Sequence, residues 1–267
     1  GVAFGLKSPP LVIFASAVTG IAGYTWGGPV GTFIAAVIGA EFGKAVSKET
    51  KLDIIVTPVV TILLGLAAGK LVGPGISWVM TTTGSFITWA TELMPIPMGI
   101  IVSVVMGAVL TSPISSAALA IMLGLEGVAA GAACAGCCAN MIGFAAAGFR
   151  ENKMSGLLSQ GLGTSMLQIP NIVKNPCIWI PAIFASAVTG PLSAALFKME
   201  NIPSGAGMGT SGLVGQFGAL AAMGYEPSVF IQIGLVHFII PAVLALACSE
   251  FLRKINWIKP GDMKLEA

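Results

Sequence analysis

Thr164, Ser165, Gln168 and Asn171 sit in the run TSMLQIPN around Pro170, a residue that cannot donate a backbone hydrogen bond. A second run, GMGTSG from Gly207, offers Gly209 for close backbone approach and the hydroxyls of Thr210 and Ser211. The Gln216 amide follows shortly after it. Neutral donors and acceptors at the tips of broken helices suit a polyhydroxylated neutral ligand, or a single anion at a helix N-terminus. The competing reading is structural, because hydroxyls and glycines also let helices pack closely.

Few ionisable residues fall within apolar sequence, and each such residue is a functional candidate. Glu92, in ATELMPIPMG, precedes a Pro-x-Pro break and reads either as a ligand-binding acid or as an interfacial cap. Glu200 enters the second polar run with the same two readings, as a ligand contact or gate and as a cap. Glu126 reads as an acid favoured by a helix N-terminus, and Glu41 as the partner of Lys44 at a membrane boundary. His237 is the only histidine and lies mid-run in IQIGLVHFIIPAV. It is either a core histidine bonded to a neighbouring helix or a substrate or proton-relay group. Pro241 deprives the His237 carbonyl of its usual donor, so a distorted helix is expected there.

Cys134, Cys137 and Cys138 lie together in AGAACAGCCANM with no histidine or acid beside them in sequence. They read as small packing residues, so no metal site and no cofactor are expected. The five cysteines make no disulfide framework in such a chain. No P-loop, HExxH, GxSxG or zinc spacing is present, so no catalytic residue is assigned and no catalysis is expected from this chain alone.

Composition decides what positions these residues. The chain has 267 residues, 55% hydrophobic and 9% charged, with mean hydropathy +0.93. A soluble domain carries roughly 25% charged residues, and a disordered one is poor in apolar residues. The apolar runs are continuous rather than alternating, which excludes a transmembrane barrel. The expected class is all-α, a polytopic transmembrane helical bundle forming one integral membrane domain over 1–267. A net charge of +2 offers no polybasic face, so no nucleic-acid partner is expected; the bilayer is the partner. The chain opens on Gly and runs almost at once into apolar sequence, and residues are expected to be missing before it.

Expected spans lie at about 9–24, 29–44, 54–72, 127–149, 178–196 and 229–251. Residues 74–93 read as an interfacial helix or one lining a polar path, and 96–125 as a run broken at Pro113. Segments 155–176 and 201–224 are too polar and too rich in Gly and Pro to face lipid, yet lie between embedded blocks. The basic loops 44–51, 150–153 and 253–254 are placed in the cytoplasm. That placement requires an even number of crossings between 150 and 253. It is met if 155–176 enters as a re-entrant hairpin from the cytoplasm and 201–224 as a second from outside, meeting near the midplane. Such a layout is that of a transporter.

The octapeptide IFASAVTG occurs at 13–20 and again at 183–190, each copy preceded by a proline. An internal repeat is expected, parallel or inverted.

These residues carry a resemblance. The runs GPVGTFIAAVIGAEFGKAVSKETKLDIIVTPVVT, SVVMGAVLTSPISSAALAI, GFRENKMSGLLSQGLGTSMLQIPNIVKNP and FKMENIPSGAGMGTSGLVGQFG resemble the membrane-embedded IIC component of the phosphotransferase system, specifically its perfringolysin O regulator-like branch. The resemblance covers essentially the whole chain. It implies a dimeric sugar permease in the bacterial inner (plasma) membrane. Sugar would bind between the re-entrant hairpins, move by an elevator-like displacement, and meet a separate IIB partner that phosphorylates it. Better-studied IIC groups use a Glu and a His near the sugar; Glu92 or Glu200 and His237 are the only counterparts here, and no motif aligns them. This chain contains neither a IIA nor a IIB domain. Two functions stay open: a permease, with or without coupled phosphorylation, and a membrane regulator that senses a ligand without net transport.

Overall fold

A computed structural model describes residues 1–265. The chain divides into two compact units, Gly1–Thr83 and Gly84 onward. Among the described residues there is no strand, only an isolated bridge between Gly127 and Asn201. The fold is an all-α polytopic bundle. Among the described residues, five helical stretches are long and apolar enough to cross a membrane: Pro10–Val46, Asp53–Leu93, Gly127–Ala147, Pro176–Leu196 and Pro227–Lys254.

The first unit holds α1 (Val2–Gly5), α2 (Pro10–Val46) and the first part of α3 (Asp53–Leu93). Helix α2 doubles back on itself. Gly28, at φ +57° and ψ −150°, adopts backbone angles closed to residues with a Cβ. The Thr32 hydroxyl then donates to the Gly20 carbonyl at 3.1 Å. A Cβ added to Gly23 would lie 2.5 Å from the Gly31 carbonyl oxygen, although eight residues span about 12 Å along a straight helix. The two apolar runs on either side of this glycine pair are thus two antiparallel helices. Asp53 starts α3 by accepting from the Lys48 amide at 2.7 Å and the Thr57 hydroxyl at 2.6 Å. Glu41 pairs with Lys44 at 2.9 Å, as expected of a boundary pair.

One expectation is corrected here. Residues 74–93 form no separate interfacial helix, because α3 continues through Pro74 to Leu93. The proline removes a single backbone hydrogen bond, which this helix tolerates.

The second unit holds α4 (Pro95–Thr111), α5 (Ser116–Leu123), α6 (Gly127–Ala147), α7 (Phe149–Leu158), α8 (Ile169–Lys174), α9 (Ile180–Pro191), α10 (Pro203–Ala206), α11 (Val214–Met223), α12 (Pro227–Ile233) and α13 (Ile240–Lys254). The break between α4 and α5 falls at Pro113, where the sequence places it. Helix α6 is the centre: 89% of its apolar window is buried. Glycine and alanine make that possible. A Cβ on Gly136 would strike the Ser103 backbone of α4, and one on Gly190 of α9 would strike Gly99 and Ser103. Gly143 brings α6 against Ala182 of α9 and Ala245 of α13, with contacts of 3.2–3.5 Å to an added Cβ. Helices this close gain dispersion contacts that larger residues would block.

Both copies of the octapeptide are helical and bury the same positions. Ala15 and Thr19 in the first are matched by Ala185 and Thr189 in the second, while Phe14 and Phe184 both face outward.

Candidate functional site

The candidate site is built on α6, which two irregular segments approach from opposite ends. The first begins at the C-terminal end of α6, where Asn152 donates to the Gly148 carbonyl at 3.2 Å. It passes through α7 and a π-helical turn, Ser159–Gly163, where Gly161 packs on Ala145. Thr164 is extended and accepts from the Met166 amide at 3.1 Å, opening the short 3-10 turn Ser165–Gln168. The segment then turns back: Asn152 and Gln168 both donate to the Met263 carbonyl, at 2.8 and 3.0 Å.

The second segment begins at the other end of α6, where the Asn201 amide donates to the Gly127 carbonyl at 3.2 Å. It too turns back, since the Asn201 side chain reaches the Gly215 carbonyl at 2.9 Å. Its tip lies halfway along α6. Gly209, at φ +55°, is pressed on Cys137 and Cys138 so closely that a Cβ would lie 2.7 Å from the Cys137 carbonyl carbon.

The two tips touch. Thr210, fully buried, donates to the Gly161 carbonyl at 2.5 Å. Beside this contact lies a cavity of about 190 Å³ lined by Ser112, Ser115 and Ser116 from the Pro113 break, Thr164 and Met166 from the first segment, and Ser211 from the second. Its polar lining is entirely hydroxyl and backbone, with no charged side chain. A larger cavity, about 660 Å³, lies at the C-terminal end of α6 among Glu151, Asn152, Asn171 and Lys264, and Met166 lines it as well.

A family model described as phosphotransferase system, EIIC, matches residues 1–265. The chain belongs to the EIIC family. No curated protein and no solved structure matches it. Membership makes this EIIC protein an integral inner-membrane component of sugar transport that works with separate IIA and IIB proteins.

The sequence-selected residues of the EIIC chain fall into distinct settings. Thr164 and Ser211 line the small cavity, and Thr210 and Gly209 fix the second tip against the first tip and α6. Ser165 is buried 2.8 Å from the Thr111 hydroxyl. Gln168 and Asn171 are engaged with the C-terminal segment: Asn171 donates to the Lys264 carbonyl and to the Gln168 side chain, both at 2.9 Å. Gln216 faces His237, with its Nε2 3.2 Å from Nδ1. His237 stands on a π-helical turn, Gly234–Ile239, the distortion expected just before Pro241. Glu92 and Glu200 are exposed, and no hydrogen bond among the described residues joins either to these groups. Glu126 takes the N-cap position of α6 without a capping hydrogen bond from its side chain.

Two features escaped the sequence. Asn140, fully buried in α6, accepts from the Thr111 hydroxyl at 3.1 Å and the Trp179 indole at 3.0 Å, and donates to the Ser186 hydroxyl at 2.8 Å. Ser103 donates to the Ser186 carbonyl at 2.7 Å, extending this polar core beneath the first tip. The only signal was one amide inside an Ala-rich run. The second feature is a cluster of donor atoms: Cys134, Cys138 and His237 bring theirs within 4.8 Å of one another. No histidine neighbours these cysteines in sequence, but the fold supplies one.

Proposed function

We propose that this EIIC protein is a permease, working as a homodimer, that binds a neutral sugar of monosaccharide size where the two segments meet. The observation that carries the reading is the hydroxyl-lined cavity shared by Thr164 and Ser211. At about 190 Å³ it lies below the roughly 300–1,000 Å³ of drug-sized ligand sites. It would hold about six waters at liquid density. A lining without charge favours a neutral polyhydroxylated ligand over an anion. In this reading segments 155–176 and 201–224 are re-entrant hairpins, one from the cytoplasm and one from outside, and their approach from opposite ends of α6 supports it. Irregular backbone is tolerated at that depth because it lines a cavity rather than lipid.

The basic loops are cytoplasmic. Arg150 pairs with Glu250 at 3.0 Å and Arg253 with Glu151 at 2.9 Å, which puts clusters 150–153 and 253–254 at one end of the unit. The large cavity opens at that same end, so a sugar leaving inward passes Met166 and arrives where a IIB partner could phosphorylate it. All these residues belong to the second unit, so the site can travel with that unit in an elevator-like displacement.

The test is uptake of labelled monosaccharides and polyols by proteoliposomes, alongside ligand-induced thermal stabilisation in detergent. At least one sugar stabilises the protein and enters the vesicles; Thr164→Leu and Ser211→Leu fill the cavity and abolish both effects. Sugar binding without uptake, with or without added IIA and IIB proteins, would establish the sensing regulator instead. Full binding to the leucine variants would place the site elsewhere.

A further inference from the structure

Cys134 and Cys138 lie one helical turn apart on α6 with their sulfurs 3.9 Å apart. His237 reaches them from its π-helical turn, and all three side chains are at most 1% exposed. Gln216 closes the group, its amide nitrogen 3.4 Å from Cys138 Sγ and 3.2 Å from His237 Nδ1. Two polar atoms here, Gln216 Oε1 and His237 Nε2, are buried with no hydrogen-bond partner. Unpaired buried polar atoms are costly and call for an explanation.

We propose that this cluster is a Zn²⁺ site formed by Cys134 Sγ, Cys138 Sγ, a His237 ring nitrogen and Gln216 Oε1. The amide oxygen and nitrogen of Gln216 have nearly the same shape, so a half-turn of the amide presents Oε1 to the cluster without repacking. That turn removes a donor from between two metal ligands and gives the orphaned oxygen a partner.

Geometry and charge agree on the ion. Two Zn–S bonds of about 2.3 Å spanning 3.9 Å enclose an angle of about 116°, close to tetrahedral. Thiolate and imidazole ligands exclude Mg²⁺ and Ca²⁺, which take oxygen. Binding releases two protons: Zn²⁺ plus two thiols gives a zinc dithiolate and two H⁺, with His237 neutral. The product has no net charge, as a low-dielectric interior requires. A monovalent soft ion would leave one negative charge buried. Such an ion clasps α6 to α11 and to the helix carrying His237, behind the tip that Gly209 holds. The inference stands without the sugar reading, since none of its four ligands lines the small cavity.

Cys137 supplies an internal control, because its thiol points away from the cluster, toward the Met106 carbonyl at 3.5 Å. The full chain, stripped of metal in detergent, is titrated with Co²⁺ as an optical probe and then with Zn²⁺ in competition. The expected result is one equivalent bound, a sulfur-to-cobalt charge-transfer band with tetrahedral visible bands, and displacement by Zn²⁺. Cys134→Ser, Cys138→Ser and His237→Ala each weaken binding by about 100-fold or more, whereas Cys137→Ser binds like the parent. Absence of the charge-transfer band in the parent overturns the proposal, even if every variant fails to fold. Equal loss in Cys137→Ser, or tight binding retained by the Cys134→Ser, Cys138→Ser double variant, overturns it as well.

Discussion

Arg253 Nη1 lies 2.9 Å from Glu151 Oε1, joining residues 102 positions apart with both side chains only 11–12% exposed. The Glu151 carboxylate also accepts from the Gly261 amide at 3.1 Å and the Met263 amide at 2.9 Å. One carboxylate therefore ties the start of the first segment to the C-terminal segment. Glu151→Ala should free that segment and leave the guanidinium unpaired, costing about 3 kcal/mol. Limited proteolysis near residue 260 and the melting temperature in detergent report it. Unchanged digestion would show that the carboxylate holds nothing.

The two ends of α6 should face opposite sides of the membrane. Lys153→Cys and Lys254→Cys are expected to resist a membrane-impermeant maleimide in intact cells and to react once the cells are opened. Lys198→Cys, exposed near the entry of the second segment, should react from outside. Labelling of all three from the same side would overturn the opposed-hairpin reading.

Gly209→Ala should be strongly destabilising. Its φ of +55° disfavours any Cβ, and the Cys138 amide nitrogen would lie only 2.8 Å from one. A loss of about 2–3 kcal/mol is expected, as for other overpacked and strained sites. Gly163→Ala, which meets no atom within 4 Å, is the control and should melt like the parent.

Met166 lines both cavities and so should control passage rather than binding. Met166→Trp is expected to leave sugar-induced stabilisation within a few-fold of the parent while cutting uptake at least about tenfold. Equal losses of binding and uptake would make Met166 a ligand contact.

The helices were legible because each apolar run is continuous and long enough to span hydrocarbon, and the breaks at Gly27–Gly28 and Pro113 carry local chemistry that ends a helix. Segments 155–176 and 201–224 stood out through polarity alone. What they touch was not legible. Gln168 and Asn171 have side chains suited to a ligand, but main-chain carbonyls at 263 and 264 meet their amides, and nothing near them in sequence announces such partners. Asn140 was hidden because one amide among alanines gives no period. The meeting of Cys138 with His237 depends on how α6 and the last helices pack. Pro74 misled for the opposite reason: a local helix breaker was outweighed by the rest of a long helix.

The Thr210–Gly161 hydrogen bond has an electrical consequence. With one segment entering along each half of α6, polar surface leads inward from both sides, and what separates them is little more than the layer where these two residues meet. Wherever water follows that surface, the membrane voltage falls across this thin layer instead of across some 30 Å of hydrocarbon. An ion passing there would meet most of the roughly 2.3 kcal/mol per charge that each 100 mV supplies. An uncharged sugar would cross the same layer with no electrical work, so its flux should be indifferent to membrane potential.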